Sequence, residues 1–401
     1  MFIKEIRGEI ILDSRNERTI QIKVKTLKGT FVSSAPSGKS KGKHESKDYN
    51  EHGIEFSLRL LNEFLLRFNN KNMHLNQFED LAKLEEEIKK YEADFGKLGA
   101  NVTYVLEVVL LKAAASENDK ELWDLILGDK KLKIPMPIGN CIGGGMHSKG
   151  KKPDFQEFLF IPQEETFSKA FTKMFRAYEE VKREVKKQEK RWVISKNDES
   201  AWQTSLSNEQ CLEIMKKVAD KDNIRIGIDM ASSTFFNGKD YLYRNKEMIR
   251  DKEAHLEYIN MLVDKFKLFY IEDPFNQEDF LNFSRLVSFK NSKVLIVGDD
   301  LTATHLDRVK KTIGLKSITG IIIKPNQNGS LIQVKEIVEY CKKNNLKIIF
   351  SHRSGETMDN ALADLAIGFQ ADFVKTGIHG RERLIKLKRI IDIEKEVGLG
   401  I

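Results

Sequence analysis

Cysteine is scarce in this sequence: Cys141, Cys211 and Cys341 are the only three among 401 residues. They are isolated and odd in number, so they supply neither a disulfide framework nor the paired spacing of a metal site. Long apolar runs are missing too. None approaches the ~20 residues that a membrane-spanning helix needs, and the longest, at 105–115, is broken by Glu107 and Lys112. The opening residues, Met1-Phe2-Ile3-Lys4-Glu5, lack the apolar stretch of a secretory signal. There is no tail of one charge sign, because 67 basic and 60 acidic residues are spread along the chain and leave a net charge of +7. Such a composition argues against disorder. The small positive excess favours a nucleic acid only weakly and suits a small anionic substrate equally well. These absences predict a cytoplasmic chain with reduced thiols and with neither a membrane nor a nucleic acid as partner.

What is present is enough apolar surface for a sizeable core, 40% of residues. At roughly 150 residues per domain, the length predicts two to three domains. Residues 3–12 and 19–27 read as strands, 30–47 as a polar loop with Gly38 and Gly42, and 53–128 as helices, the strongest at 101–116. Strands followed by helices predict a small α+β domain over 1–128. Near 130–140 the rhythm changes at Pro135 and Pro137, which places a second domain at 129–401. There, short apolar runs at 155–161, 224–229, 268–272, 294–299, 320–324, 346–351 and 372–375 alternate with helix-like segments. Steps of 27, 25, 28 and 23 residues separate Glu272, Asp299, Lys324, His352 and Lys375. Each step has the length of one strand, one helix and two loops. The runs are apolar on both faces, as buried parallel strands are. A (β/α) barrel follows, with a doubly wound open sheet as the competing architecture.

In a barrel, the residues that end the strands share one mouth. Here they are Asp229, Glu272, Asp299, Lys324, the trio His352-Arg353-Ser354, and Lys375. A single acid after a strand is usually a helix cap. Three at matched strand ends would repel one another unless a cation lay between them, and oxygen donors without Cys or His suit Mg²⁺. Lys324, among other cations, is expected to have a lowered pKa and to serve as a base. Arg353 with Ser354 suits a phosphate, although the segment also reads as a polar helix-capping loop. His147, in Gly143-Gly144-Gly145-Met146-His147, reads as an incidental loop histidine, and the stretch 182–191 as a solvated helix face.

Several stretches, in one order on one chain, resemble the enolase family: Leu12-Asp13-Ser14-Arg15, Pro36-Ser37-Gly38-Lys39-Ser40-Lys41-Gly42, Leu98-Gly99-Ala100-Asn101, Gln156-Glu157-Phe158, Ile271-Glu272-Asp273-Pro274-Phe275, Gly298-Asp299-Asp300-Leu301-Thr302, Lys324 with Asn326-Gln327, Ser351-His352-Arg353-Ser354-Gly355-Glu356-Thr357 and Val374-Lys375-Thr376-Gly377. The resemblance implies an α+β cap on a barrel of the ββαα(βα)₆ kind. It also implies reversible dehydration of 2-phosphoglycerate to phosphoenolpyruvate, a step of glycolysis and gluconeogenesis. Two Mg²⁺ ions per site and a homodimer or higher homo-oligomer are implied as well. Carried over position by position, Asp229, Glu272 and Asp299 would bind the first ion, and Ser40 would help hold the second. Lys324 would take the α-proton. Glu199, protonated and supported by Glu157 with His147 beside them, would be the acid for the departing hydroxide. Lys375 would neutralise the substrate carboxylate, while Arg353 and Ser354 hold the phosphate near His352, with Gln156 and Ser40 also lining the site.

The chain departs from the family pattern at Asn16-Glu17-Arg18, at Lys39, Lys41 and Lys43, at Ser200-Ala201-Trp202, and at Pro325 and Asn328. These loop changes leave two other readings open. One is a relative that enolises a different anionic hydroxy acid; the other is a non-catalytic binding protein of the same fold.

Overall fold

The computed structural model describes residues 2–39, 42–69, 75–189, 193–290 and 293–399. Strands β1 (Glu5–Leu12), β2 (Arg18–Lys25) and β3 (Thr30–Ser34) form an antiparallel sheet in that order. Helices α1 (Ile54–Asn69), α2 (Leu81–Phe95), α3 (Ala100–Glu117) and α4 (Leu122–Leu127) follow. Ile20, Ile22 and Val24 of β2 are fully buried, and α3 packs on β2 and β3. α3 is apolar around nearly its whole circumference and buried on all sides, as such a helix must be. It starts at Gly99, whose φ of +103° and 2.4 Å clearance between a notional Cβ and the Asp48 carbonyl admit no side chain.

The rest of the chain builds the barrel. Its elements are β4 (Met136–Gly143), β5 (Glu157–Ile161), α5 (Phe167–Gln188), β6 (Trp202–Gln203), α6 (Asn208–Asp222), β7 (Arg225–Asp229), β8 (Tyr241–Tyr243), β9 (Met248–Arg250), α7 (Lys252–Phe266), β10 (Tyr270–Glu272), α8 (Phe280–Lys290), β11 (Leu295–Gly298), α9 (Leu306–Gly314), β12 (Gly320–Ile323), α10 (Leu331–Lys343), β13 (Lys347–Ser351), α11 (Ala361–Gly368), β14 (Phe373–Gly377) and α12 (Arg381–Glu396). Strands β4, β5, β7, β10, β11, β12, β13 and β14 pair in a ring that β14 closes onto β4. Closure rules out the open sheet. The order of strands and helices is ββαα(βα)₆, with β5 antiparallel to both its neighbours and the other pairs parallel. Ile138, Leu159, Ile161, Tyr270, Val297, Ile322, Ile349 and Phe373 form a core inside the ring. Ser207, Asp251 and Ser330 cap α6, α7 and α10 through their side-chain oxygens.

Two expectations are corrected here. The loop expected from Thr30 begins as strand β3, whose Ser33 and Ser34 are buried and bonded to Asp359 and Thr357 of the barrel. Barrel strand β4, carrying Pro137 and Gly139, was not among the expected runs, because proline and glycine weaken any strand pattern.

Candidate active site

Register brings the acids together. Asp229 lies beside Glu272 across β7 and β10. Glu157 lies beside Asp229 because β5 runs backwards and presents its first residue, not its last, to the mouth. Lys375 of β14 reaches all three: its Nζ is 2.8 Å from Glu272 Oε2, 2.9 Å from Asp229 Oδ2 and 3.0 Å from Glu157 Oε2. Tyr270 also donates to Glu272 Oε2, whereas the buried Glu272 Oε1 has no hydrogen-bond partner. Burial and the charge of Asp229 push Glu272 up to about 8. Burial pulls Lys375 down, but its carboxylate partners outweigh this and hold it well above the usual lysine range.

Lys324, at the end of β12, is ion-paired with Asp299 Oδ2. The lowered pKa expected for this lysine is not found. Burial does lower it, but Asp299 lies against the ammonium and the net shift is upward. Asp299 in turn belongs to a second acidic group. Oxygens of Asp273, Asp299 and Asp300 lie within 4.8 Å of one another, and Asp273 accepts the amides of Asp299 and Asp300 at 3.0 and 2.7 Å. Burial, with the charge of Asp299, raises Asp300 to about 7. The backbone after the strands is strained: Ala231, Asp273, Ala303 and Thr304 all have φ between +41° and +53°. This conformation is uncommon for any residue with a side chain, and most of all for a β-branched one. Thr304 Oγ1 receives the Lys324 amide at 3.1 Å and donates to Gln327 Oε1 at 2.6 Å, so the strained turn fixes the start of the lysine loop.

Glu199 is presented by a tight turn in which Asn197 Oδ1 accepts the amides of Glu199 and Ala201, and Ser200 has φ +63°. Asn140 Nδ2 donates to Glu199 Oε2 at 2.8 Å, and His147 Nδ1 lies 3.3 Å from Oε1. Ligand atoms of His147, Glu157 and Glu199 lie within 4.8 Å of one another. Burial and the neighbouring Glu199 charge push Glu157 well above the carboxylate range. Glu199 goes well below it: burial opposes its ionisation, but His147, His352 and a hydrogen bond with Glu157 outweigh burial. Two carboxyls buried this close disfavour charge on both at once, which suits the pair to holding a proton. Burial holds His352 well below its usual value, hence neutral.

Arg353 donates from Nη1 to Asn326 Oδ1 at 3.2 Å and from Nη2 to Glu45 Oε2 at 2.7 Å. Gly38 lies against it so closely that a Cβ there would sit 2.0 Å from Nη2. Ser354 Oγ accepts the Lys39 amide and Arg15 Nη1.

A cavity of about 20 Å³, the room of about one water, is bounded by Lys324, Glu199, Glu157, His147, Lys375, Arg353, Ser354, His352, Gln156 and Asp229. Glu272 and Asp299 do not line it; they lie behind Lys375 and Lys324. Ser40 falls outside the described residues. A cavity of about 690 Å³ at α2, α3 and the loop before α10 holds none of the expected site residues. Asn140, Glu45, Thr304, Asp273 and Asp300 were not expected at the site. Asp273 and Asp300 stand next to expected ligands in the sequence, but nothing local marks Asn140 or Glu45.

The expected metal set fits a hard divalent cation in its chemistry: Asp229, Glu272 and Asp299 offer only oxygen, and a buried Glu272 oxygen lacks a partner. Of the three, only Asp299 belongs to either close cluster of possible ligands.

Fold and mouth together define a barrel enzyme of the ββαα(βα)₆ class, with acids, ammonium groups and a guanidinium around one small buried space. Residues 3–126 match the family model for the enolase N-terminal domain, and residues 131–400 match that for the enolase C-terminal TIM barrel domain. The chain is 33% identical to an enolase of Methanosphaera stadtmanae, covering 98% of this chain and 97% of the relative. It is 35% identical to an enolase of Sulfurisphaera tokodaii over 99% and 96%, and 35% identical to one of Pyrobaculum aerophilum over 91% and 88%. The chain belongs to the enolase family. It is an enzyme of the lyase class, a phosphopyruvate hydratase.

Proposed function

We propose that this site catalyses the reversible, Mg²⁺-dependent conversion of 2-phosphoglycerate to phosphoenolpyruvate. The observation that carries the reading is that a partly buried amine, Lys324, and a buried acid pair, Glu199 with Glu157, face the same cavity as Lys375 and Arg353. Lys324 takes the α-proton. The electrons of that C–H bond form the new double bond, and the β-carbon–oxygen bond breaks. Glu199, protonated for this step and supported by Glu157 beside it, gives its proton to the departing hydroxide, so that water leaves. His147 keeps Glu199 in place. Lys375 faces the substrate carboxylate, Arg353 and Ser354 hold the phosphate beside neutral His352, and Gln156 completes the wall.

Asp229, Glu272 and Asp299 would hold one Mg²⁺ and Ser40 would contribute to a second; bound there, such ions supply positive charge where the deprotonated acid becomes a dianion. While Asp299 neutralises Lys324, the lysine keeps its proton. Base strength at neutral pH needs Asp299 to be otherwise engaged, as it would be if it held a metal ion.

The test follows phosphoenolpyruvate formation by wild type and Lys324→Ala. We expect a loss of at least about 10²–10⁴-fold. Equal rates would reject Lys324 as the base.

We also divide the chain into a cap over 1–128 and a barrel over 129–401, a division supported by the gap between the two family matches. A cytoplasmic location is supported by three buried, unpaired thiols, and no described helix is long and apolar enough to cross a membrane. A homo-oligomer is supported by exposed Leu12, Val32 and Met358 around one cleft; light scattering tests it.

A further inference from the structure

Arg353 has a carboxylate partner that the reaction does not require. Glu45 comes from the cap segment after Gly42. Its Oε1 accepts the Gly42 amide at 3.0 Å, and its Oε2 accepts Arg353 Nη2 at 2.7 Å. Both side chains are only 3% exposed, so the pair is shut off from water. The next residue, Ser46, donates its amide to the Gln327 carbonyl at 2.9 Å, which seats this segment on the loop that follows Lys324. On the other side of the guanidinium, Asn326 accepts from Nη1 and is itself locked, donating to Asn101 Oδ1 at 2.9 Å. The side chain of Arg353 is therefore gripped at both terminal nitrogens.

We propose that Glu45 is a positioning residue that aims Arg353 at the substrate phosphate. The proposal rests on the reading of Arg353 as the phosphate-holding group. A guanidinium has five N–H donors. Glu45 and Asn326 take one from each terminal nitrogen, leaving Nε–H and one N–H on each of Nη1 and Nη2 for an oxyanion. With Glu45 lost, Asn326 alone holds the terminal nitrogens, and the phosphate must then supply the order that Glu45 supplies beforehand. A buried carboxylate on a phosphate-binding arginine also lowers the positive charge offered to the phosphate. The opposite hypothesis is therefore clear: if Glu45 only competes with the phosphate, its removal tightens binding.

The experiment compares full-length wild type, Glu45→Ala and Glu45→Gln. The readouts are KM and kcat for 2-phosphoglycerate with Mg²⁺, the affinity for inorganic phosphate by titration calorimetry, and the melting temperature. For Glu45→Ala we expect KM and the phosphate dissociation constant to rise together by roughly 10- to 100-fold, with a smaller change in kcat. Glu45→Gln retains an oxygen that accepts from Nη2 and recovers most of the lost affinity. Unchanged or tighter phosphate binding in Glu45→Ala overturns the proposal, as does an equal loss in both variants. Should Glu45→Ala not fold, Glu45→Asp replaces it. That variant keeps the charge but shortens the reach, and wild-type phosphate affinity in it would also overturn the proposal. A wild type that binds phosphate but forms no phosphoenolpyruvate would fault the reading of the reaction, while the calorimetric comparison would still decide the role of Glu45.

Discussion

Residues at this mouth acquire their chemistry from their partners. Lys375 is buried and Lys324 largely withdrawn from water, a condition that by itself drives a lysine toward neutrality. Each lies against carboxylate, and both end up firmly charged. Glu157 and Glu199 are a similar case, shifted in opposite directions by their neighbours. Asn140 adds a hydrogen bond to this pair, its amide donating to Glu199. Asn140→Ala is expected to lower kcat by roughly 10- to 100-fold, the worth of a buried hydrogen bond to a charged group, with KM little changed. Steady-state kinetics on 2-phosphoglycerate check this, and an effect confined to KM would place Asn140 in substrate binding instead. The sequence named nearly every residue of this cavity through motif resemblance. It gave no sign of Asn140 or Glu45, whose partners lie 59 and 308 positions away.

At the scale of elements, the junction of α2, α3 and α10 carries a second buried acid. Glu107 of α3 is fully buried. Its Oε2 accepts the Leu331 amide at the start of α10 at 2.7 Å, and its Oε1 has no partner. Facing it are Glu85 of α2 and Ser330, which donates to Glu85; Lys89 is 3.9 Å from the other Glu85 oxygen. Burial and the charge of Glu85 push Glu107 well above its ordinary value of 4.5. The folded chain therefore binds a proton here that the unfolded chain releases above about 4.5. From that point up to the raised folded value, stability falls by about 1.4 kcal/mol per pH unit through this group alone. Glu107→Gln, which carries its own N–H donors, removes this slope. Its advantage in melting temperature over wild type should widen as pH rises from 5 toward 8. Parallel melting curves for the two proteins across that range would show Glu107 ionised throughout.

The elements themselves were unevenly legible. Strands β7 and β10–β14 stood out because both their faces are buried and their spacing repeats. Strand β3 did not, because Ser33 and Ser34 are buried by partners more than 320 residues away. The reversal of β5 is a matter of pairing, which a run of apolar letters does not encode.

For the whole molecule, the cap is tied to the barrel at the mouth itself. Ser37 and Gly355 exchange backbone hydrogen bonds of 2.8 Å, and Arg15 donates to both Ser37 and Ser354. Beneath that contact, the carboxylates proposed as metal ligands are balanced by Lys324 and Lys375. Mg²⁺ is expected to raise the melting temperature, with a stabilisation of about 2.7 kcal/mol at a hundredfold excess over its dissociation constant. A chelator should reverse the shift and Glu272→Gln should largely abolish it, as scanning fluorimetry would show. A full shift in Glu272→Gln would remove that residue from the metal set.

The sequence by itself determined the alternation of strands and helices and named most of the residues at the mouth. Strand spacing, apolar runs and the residues that end them are local properties of the chain. Only the tertiary structure decided which charge answers which: Lys324 on Asp299, Lys375 on three acids, Glu45 on Arg353. The physical reason is that a buried ion's state depends on desolvation and on contacts of about 3 Å, and these are set by packing between segments far apart in the chain.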